Sequence, residues 1–316
     1  MTGPAAQTGP APLHDDVSGA PAGGVAAWLD TDDGVRIRAA AWGGAASPRG
    51  TVLMFPGRTE YIEKYGALAG DLTARGFAFA TVDWRGQGLA GRMHPQRDLG
   101  HVVTFRDYQR DVAALLAFAR ARALPEPFYL IAHSMGGCIG LRALIEGLPV
   151  RAAVFSAPMW GIALTGAMRA AAWGLSTLAR PLGLSGRMAP AQAPHPYVLK
   201  TGFEDNTLTT DRAQWDRLGR QITAHPDLAL GGPSLRWLNE ALVEMRGLSR
   251  RPSPPVRARC WLGTDERIVD PGRIHDRMGR WPGGALTVVE GGRHEILMER
   301  AEIRDPVLDG IEAHFR

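Results

Sequence analysis

One pentapeptide carries the sharpest chemical signal in the chain: Ala132-His133-Ser134-Met135-Gly136. The apolar run before it, residues 128–132, predicts a buried strand, and residues 137–144 after it predict a helix. A serine between small residues at a strand-to-helix turn has the form of a nucleophile elbow. Small neighbours are needed because the turn is tight, and a bulky side chain would strike the helix or the next strand. The turn lifts the Ser134 hydroxyl above the sheet. It also aims the Met135 N–H at an oxyanion, near the positive end of the helix. Ala132 stands where glycine is usual, a departure of one methyl group. The competing reading, a serine that only caps a helix, does not require the buried strand in front of it.

A serine hydroxyl becomes nucleophilic when a base takes its proton, and the base needs a third group to hold its tautomer. Behind an elbow of this kind the chain order is serine, acid, histidine. The last predicted strand, 285–290, runs into Gly291-Gly292-Arg293-His294-Glu295, and of nine histidines only His294 and the near-terminal His314 follow it. His294 is therefore the expected base. The acid is expected after the strand at 257–262, where Asp265, Glu266 and Asp270 compete. Ungapped spacing from Gly263 and to Ile268 favours Glu266; Asp265 is the runner-up and needs a shift of one residue. Asp270 is read as the cap of a helix starting near Pro271. A second oxyanion donor should come from the loop after residues 51–55, and the Arg58 N–H is assigned to it. The Arg58 side chain is read as structural or at the pocket rim.

Two motifs invite other chemistry. Gly86-Gln87-Gly88-Leu89-Ala90-Gly91 matches a dinucleotide fingerprint, but Arg92-Met93-His94-Pro95 is a poor helix start, so a tight turn is expected. His294-Glu295 has Met298, not histidine, at the fifth position, so no metal site is expected there.

These residues must be positioned by a sheet. Strand-like apolar runs occur at 36–42, 51–55, 78–82, 128–132, 152–156, 257–262 and 286–290, with helical segments at 62–75 and 105–122. The alternation predicts an α/β fold: a mostly parallel central sheet with helices on both faces. It stops after Ser156. Residues 157–255 read as helix and loop, carry Trp160, Trp173, Trp215 and Trp237, and are expected to form a helical cap insertion over the strand ends. Residues 25–156 and 256–316 are then the core. Residues 1–24, rich in Ala, Gly and Pro, are expected to be a disordered tail. They lack the basic start and apolar core of a secretory signal. No run of about 18 uncharged apolar residues predicts a membrane span; the nearest, 161–184, is interrupted by Arg169 and Arg180.

Hydrophobic residues make up 45% and charged residues 22% of 316, enough for a full core. Two cysteines exclude a disulfide framework and a cysteine zinc cluster. The net charge is +4, yet no dense basic run is interleaved with aromatics, which argues against nucleic acid as a partner. Mild attraction to anionic lipid is compatible with that charge.

The chain resembles the α/β-hydrolase superfamily, and within it the bacterial lysophospholipase and monoacylglycerol lipase branch, with its serine aminopeptidase-type hydrolase domain. The residues that carry the resemblance are Pro56-Gly57-Arg58-Thr59-Glu60-Tyr61 with Lys64-Tyr65, Asp83-Trp84-Arg85-Gly86-Gln87-Gly88, the elbow, Glu266-Arg267-Ile268-Val269-Asp270 and Gly291-x-x-His294-Glu295-Ile296-Leu297. In the cap, Asp205-Asn206-x-Leu208-Thr209 and Gly231-Gly232-Pro233-Ser234-x-x-Trp237-Leu238 add to it. The resemblance implies hydrolysis of a small amphiphilic ester with one acyl chain, by Ser134, His294 and Glu266, with Arg58 and Met135 as oxyanion donors and no cofactor. The two cysteines fit a reducing compartment, so a cytoplasmic protein is expected; the stretch 160–184, apolar but broken by arginines, is expected to touch the inner membrane surface peripherally through the cap, and no obligate protein partner is expected. Acyl transfer, another hydrolysis on the same scaffold, or a non-catalytic binding homologue are the alternatives.

Overall fold

The computed structural model describes residues 6–316. Nine strands form one sheet: β1 (Ala6–Pro10), β2 (Val25–Asp30), β3 (Arg36–Trp42), β4 (Thr51–Phe55), β5 (Ala78–Asp83), β6 (Phe128–His133), β7 (Ala152–Ser156), β8 (Arg257–Gly263) and β9 (Ala285–Val289). Their spatial order is β1-β2-β3-β5-β4-β6-β7-β8-β9. β1, β2, β3 and β5 pair antiparallel in succession. From β5 through β4, β6, β7 and β8 to β9 every pair is parallel. The helices are α1 (Asp15–Ser18), α2 (Gly66–Ala74), α3 (Tyr108–Ala121), α4 (Met135–Ile145), α5 (Gly166–Leu178), α6 (Tyr197–Lys200), α7 (Arg212–Ala224), α8 (Leu235–Ser249), α9 (Pro271–Gly279) and α10 (Ala301–Phe315).

The central strands read as unbroken apolar runs because both faces of the sheet are covered. Leu53, Phe55, Leu130, Ala132, Ala153 and Phe155 point into one core, with Val112 and Leu115 of α3 and Ile139 and Leu141 of α4. The alternating residues Val52, Met54, Tyr129, Ile131, Ala152 and Val154 point into a second, with Leu68 and Leu72 of α2 and Leu308 and Ile311 of α10. After β4 the chain moves to β5 on one side, then returns to β6 on the other. The carboxyl ends of β4 and β6 therefore flank the switch in strand order, where ligands bind in such sheets.

Residues 6–24 correct the expectation of a disordered tail, whose first five residues lie outside the described ones. β1 pairs with β2 through Gln7 and Leu29. Beyond it, the Pro12 carbonyl accepts from Arg38 Nη1 at 2.9 Å. The Gln221 amide of α7 donates to the Val17 carbonyl at 3.0 Å. The segment is held through its main chain by side chains far along the sequence. A composition poor in apolar residues carries no periodic trace of such pairing. β2 also went unread, because it is half-buried and only Ala27 and Leu29 along it are buried.

Residues 157–256 connect β7 to β8 and hold α5 to α8. Within them α8 is not peripheral: Trp237, Ala241, Leu242, Met245 and Leu248 are part of the first core. α5 differs. Met168, Leu175 and Leu178, with Leu182 and Leu184 just beyond it, are 43% to 67% exposed. No helix among the described residues is long and apolar enough to cross a membrane.

Candidate active site

Ser134 follows β6 and takes the N-cap position of α4 with φ 49° and ψ −117°, a backbone conformation that non-glycine residues rarely adopt. The turn is pinned from outside. Ser134 N–H donates to the Ser156 carbonyl at 3.1 Å, and the Ser134 carbonyl accepts from Met159 N–H at 2.8 Å. At Gly136 a Cβ would lie 2.1 Å from the Phe55 carbonyl oxygen, so glycine lets α4 start against the end of β4. The Ala132 methyl fits because Gly140 opposite it is bare; a Cβ there would lie 3.2 Å from it. The Ser134 side chain makes no capping hydrogen bond, which answers the helix-cap reading.

Instead Ser134 Oγ lies 2.9 Å from His294 Nε2. His294 Nδ1 lies 2.7 Å from Glu266 Oε2. A carboxylate only accepts, so the imidazole proton sits on Nδ1 and the Nε2 lone pair faces the serine hydroxyl. The other oxygen of Glu266 accepts from the N–H groups of Ile268 at 2.6 Å and Val269 at 3.0 Å. Burial alone would raise the Glu266 carboxyl, but the His294 hydrogen bond and charge and these two N–H groups outweigh it and hold it below its usual value. Asp265 is exposed, and its N–H donates to the Gly292 carbonyl at 3.0 Å. Of the two carboxylates weighed from the sequence, Glu266 is the one against His294. Asp270 Oδ1 accepts from Arg273 N–H at 3.3 Å and caps α9.

Loops from three parts of the chain hold this arrangement. His294 N–H donates to the Thr207 carbonyl at 3.4 Å and Glu295 N–H to the Leu208 carbonyl at 2.8 Å, so the insertion steadies the histidine loop. As the first residue of α4, Met135 has no helical acceptor for its N–H. Arg58 follows β4 across the switch. Gln87 braces its loop, donating to the Gly57 carbonyl at 2.8 Å and accepting from Thr59 N–H at 3.3 Å. Gln87 belongs to the glycine-rich motif, which forms a closed turn with Gly86 N–H on the Gly91 carbonyl at 2.9 Å. The turn wraps the Asp83 carboxylate, which accepts from Leu89 N–H at 2.8 Å.

A buried ionic cluster lies beside the elbow. Lys64 Nζ reaches Glu60 Oε1 at 2.7 Å and Glu295 Oε1 at 2.6 Å. Glu60 Oε2 accepts from Tyr65 OH at 2.5 Å and from the Gly57 N–H. The cluster thus ties the loop after β4 to the histidine loop. Burial would lower the Lys64 ammonium, but the Glu295 and Glu60 carboxylates outweigh it and hold the group above its usual value. His133 Nδ1 lies 3.0 Å from the Ser156 carbonyl, which fixes its proton on Nδ1; its Nε2 is buried without a partner. Burial pulls His133 down to about 3, against the attraction of Glu60 and with the repulsion of His294. The sequence reading quoted Glu60, Lys64 and Glu295 only as family features. The available signal was a pair of opposite charges four residues apart, Glu60 and Lys64, among aromatic and charged neighbours.

Two groups of histidine and carboxylate atoms among the described residues are close enough to face one ion: Glu60, His133 and Glu295, and His14, Asp16 and His225. In the first the Lys64 ammonium already bridges the carboxylates. In the second the two rings stack 3.6 Å apart at 15°, so one ion cannot lie in both ring planes.

Sheet order, elbow and loop placement define an α/β-hydrolase. The profile of the Hydrolase_4 family, described as serine aminopeptidase, S33, matches residues 46–301. Lysophospholipase L2 of Escherichia coli K12 is 33% identical over 286 residues, covering 84% of this chain and 79% of the relative. A probable lysophospholipase L2 of Haemophilus influenzae is 29% identical over 275 residues, covering 84% and 83%. Among solved structures, a soluble variant of monoglyceride lipase from Saccharomyces cerevisiae aligns with TM-score 0.69 at 20% identity, covering 90% of this chain and 92% of that one. A carboxyl esterase from Bacillus coagulans aligns with TM-score 0.70 at 16% identity, covering 92% and 97%. The chain belongs to the Hydrolase_4 family, is related within it to lysophospholipase L2, and is a carboxylic ester hydrolase.

Proposed function

We propose that the chain hydrolyses esters of single-acyl-chain lipids, lysophospholipid or monoacylglycerol, through an acyl-enzyme on Ser134. The observation that carries the reading is the continuous path from Glu266 Oε2 through His294 to Ser134 Oγ. His294 Nε2 takes the serine proton as Oγ bonds to the ester carbonyl carbon. The N–H groups of Arg58 and Met135 hold the oxyanion, and Glu266 stabilises the imidazolium. The intermediate collapses, the ester C–O bond breaks, and the alcohol leaves with the proton from Nε2. Water then attacks the acyl-enzyme with His294 again as base, releasing fatty acid and free serine. Every step uses groups of the chain and water.

The names of the relatives support the lipid substrate, and the α5 face supports the route to it. Residues 157–255 act as a cap whose apolar α5 surface rests on a membrane or micelle, so that a single-chain lipid enters without crossing water. Activity should be compared on lysophosphatidylcholine, monoacylglycerol and a short p-nitrophenyl ester. Turnover of the two lipids above that of the short ester supports the reading; hydrolysis of the short ester alone contradicts it. Leu175→Gln with Leu178→Gln should weaken lipid turnover and vesicle binding more than short-ester turnover. Equal losses on both would remove the cap from the account of entry.

A further inference from the structure

The arginines around the sheet differ in what satisfies them. Buried Arg38 meets Glu63 and Asp83, Arg85 meets Asp33 and Asp111, and Arg142 meets Glu244 and Glu146. Buried Arg277 has no carboxylate but donates to the carbonyls of Arg251 and Leu248 and to Ser253 Oγ. Arg58, in the loop at the strand-order switch, is part-buried and its side chain makes one hydrogen bond among the described residues, from Nη1 to the Gly231 carbonyl at 2.9 Å. Its guanidinium carbon lies 5.5 Å from the Trp237 ring centre. No carboxylate among the described residues pairs with it. A guanidinium carries five N–H donors in a rigid fork. The Arg58 Nε and Nη2 donors are unspent, and neither is among the polar atoms sealed from solvent. Burial lowers this guanidinium to about 10, so it is still a cation at neutral pH.

We propose that the Arg58 guanidinium is the phosphate subsite, gripping the phosphodiester of a lysophospholipid while its own main-chain N–H faces the ester oxyanion. The proposal rests on the reading of Ser134 as nucleophile and of single-chain lipids as substrates. Covalent lengths support it. In a 1-acyl lysophospholipid six bonds separate the carbonyl carbon from phosphorus. In arginine six bonds separate the main-chain nitrogen from the guanidinium carbon. Either path spans at most roughly 7 Å when extended, so a donor at the oxyanion and a fork at the phosphate are spaced as the substrate is. An unpaired fork with free Nε–H and Nη2–H groups suits two phosphate oxygens, and a lysine cannot reproduce that pairing. Monoacylglycerol has a hydroxyl in place of the phosphate and gains little from the charge. The subsite therefore selects the phosphorylated headgroup.

The test compares wild type, Arg58→Met and Arg58→Lys on lysophosphatidylethanolamine and monoacylglycerol of the same acyl chain in neutral detergent micelles. The readout is the ratio of the two kcat/KM values, so that any common loss from disturbing the loop cancels. Arg58→Met should lower the lysophospholipid-to-monoacylglycerol ratio roughly 10- to 100-fold, and Arg58→Lys should restore part of it. An unchanged ratio in Arg58→Met overturns the subsite while leaving the ester hydrolase reading intact. A wild type that cleaves neither lipid removes the parent reading and the subsite with it. Inorganic phosphate supplies the second arm. Inhibition that disappears in Arg58→Met while the lipid ratio holds would make this a site for free phosphate and overturn the substrate assignment.

Discussion

Two buried histidines lie with ring centres 4.8 Å apart, and of the two only His294 meets the Ser134 hydroxyl. Both carry the proton on Nδ1. His294 Nδ1–H donates a hydrogen bond to the Glu266 carboxylate, and its Nε2 lone pair faces Ser134 Oγ. His133 Nδ1–H donates to the Ser156 carbonyl, a neutral acceptor, and its lone pair faces no donor. Its nearest carboxylate, Glu60, stands 3.6 Å away and is committed to Lys64. A carboxylate already neutralised by a lysine supports a second cation less strongly. One held by main-chain N–H groups, as Glu266 is, can stabilise an imidazolium at the moment it forms. The chemistry of each histidine is set by what its partner is already bound to.

Breaking the first constellation should have the largest effect. Ser134→Ala and His294→Gln should each lower kcat by on the order of 10³-fold or more with the fold retained by circular dichroism. His133→Asn, measured in the same esterase assay, should cost less than about 10-fold. Equal losses at the two histidines would erase the distinction between them. Next, Glu266→Gln should lower kcat by roughly 10²- to 10⁴-fold and Asp265→Asn by no more than about twofold; the reverse order would move the acid to Asp265.

The cluster beside the elbow should report in stability before activity. Lys64→Met leaves two buried carboxylates facing each other and should cost roughly 3–5 kcal/mol in denaturant unfolding. Adding Glu295→Gln should recover part of that loss; no recovery would mean the three groups are not coupled. A further effect concerns pH. His133 is depressed in the folded state, so the unfolded chain binds its proton first as pH falls below the ordinary histidine value. The stability it supports is complete above about 6.5 and declines toward its folded value of about 3. His133→Asn should flatten the unfolding free energy across that window; an unchanged slope would mean that His133 is not the group titrating there.

Much of this was legible in the sequence where local pattern decides structure. β4, β6 and β7 are covered on both faces and read as apolar runs. The elbow is one turn between neighbours in sequence, and the spacing within the loop after β8 favours Glu266, the carboxylate that lies 2.7 Å from His294 Nδ1. What was not legible depends on distant pairing. β1 is ordered by main-chain bonds to β2, which its Ala, Gly and Pro residues do not announce. The Lys64 ammonium finds Glu295 across 231 positions. Gln87 braces the Arg58 loop from within a motif that resembles a nucleotide cradle. α8 lies inside the insertion yet contributes Trp237 and Leu242 to the main core, because its apolar face fits the same layer as α3 and α4.

Fluorophosphonate labelling of the wild-type protein, with peptide mass mapping and lysophospholipid turnover followed in the same sample, bears most directly on the nucleophile. The label should map to Ser134, and turnover should fall in proportion to its occupancy. A label on another residue, or turnover that persists when Ser134 is fully occupied, would contradict the assignment of Ser134, His294 and Glu266 as the hydrolytic machinery.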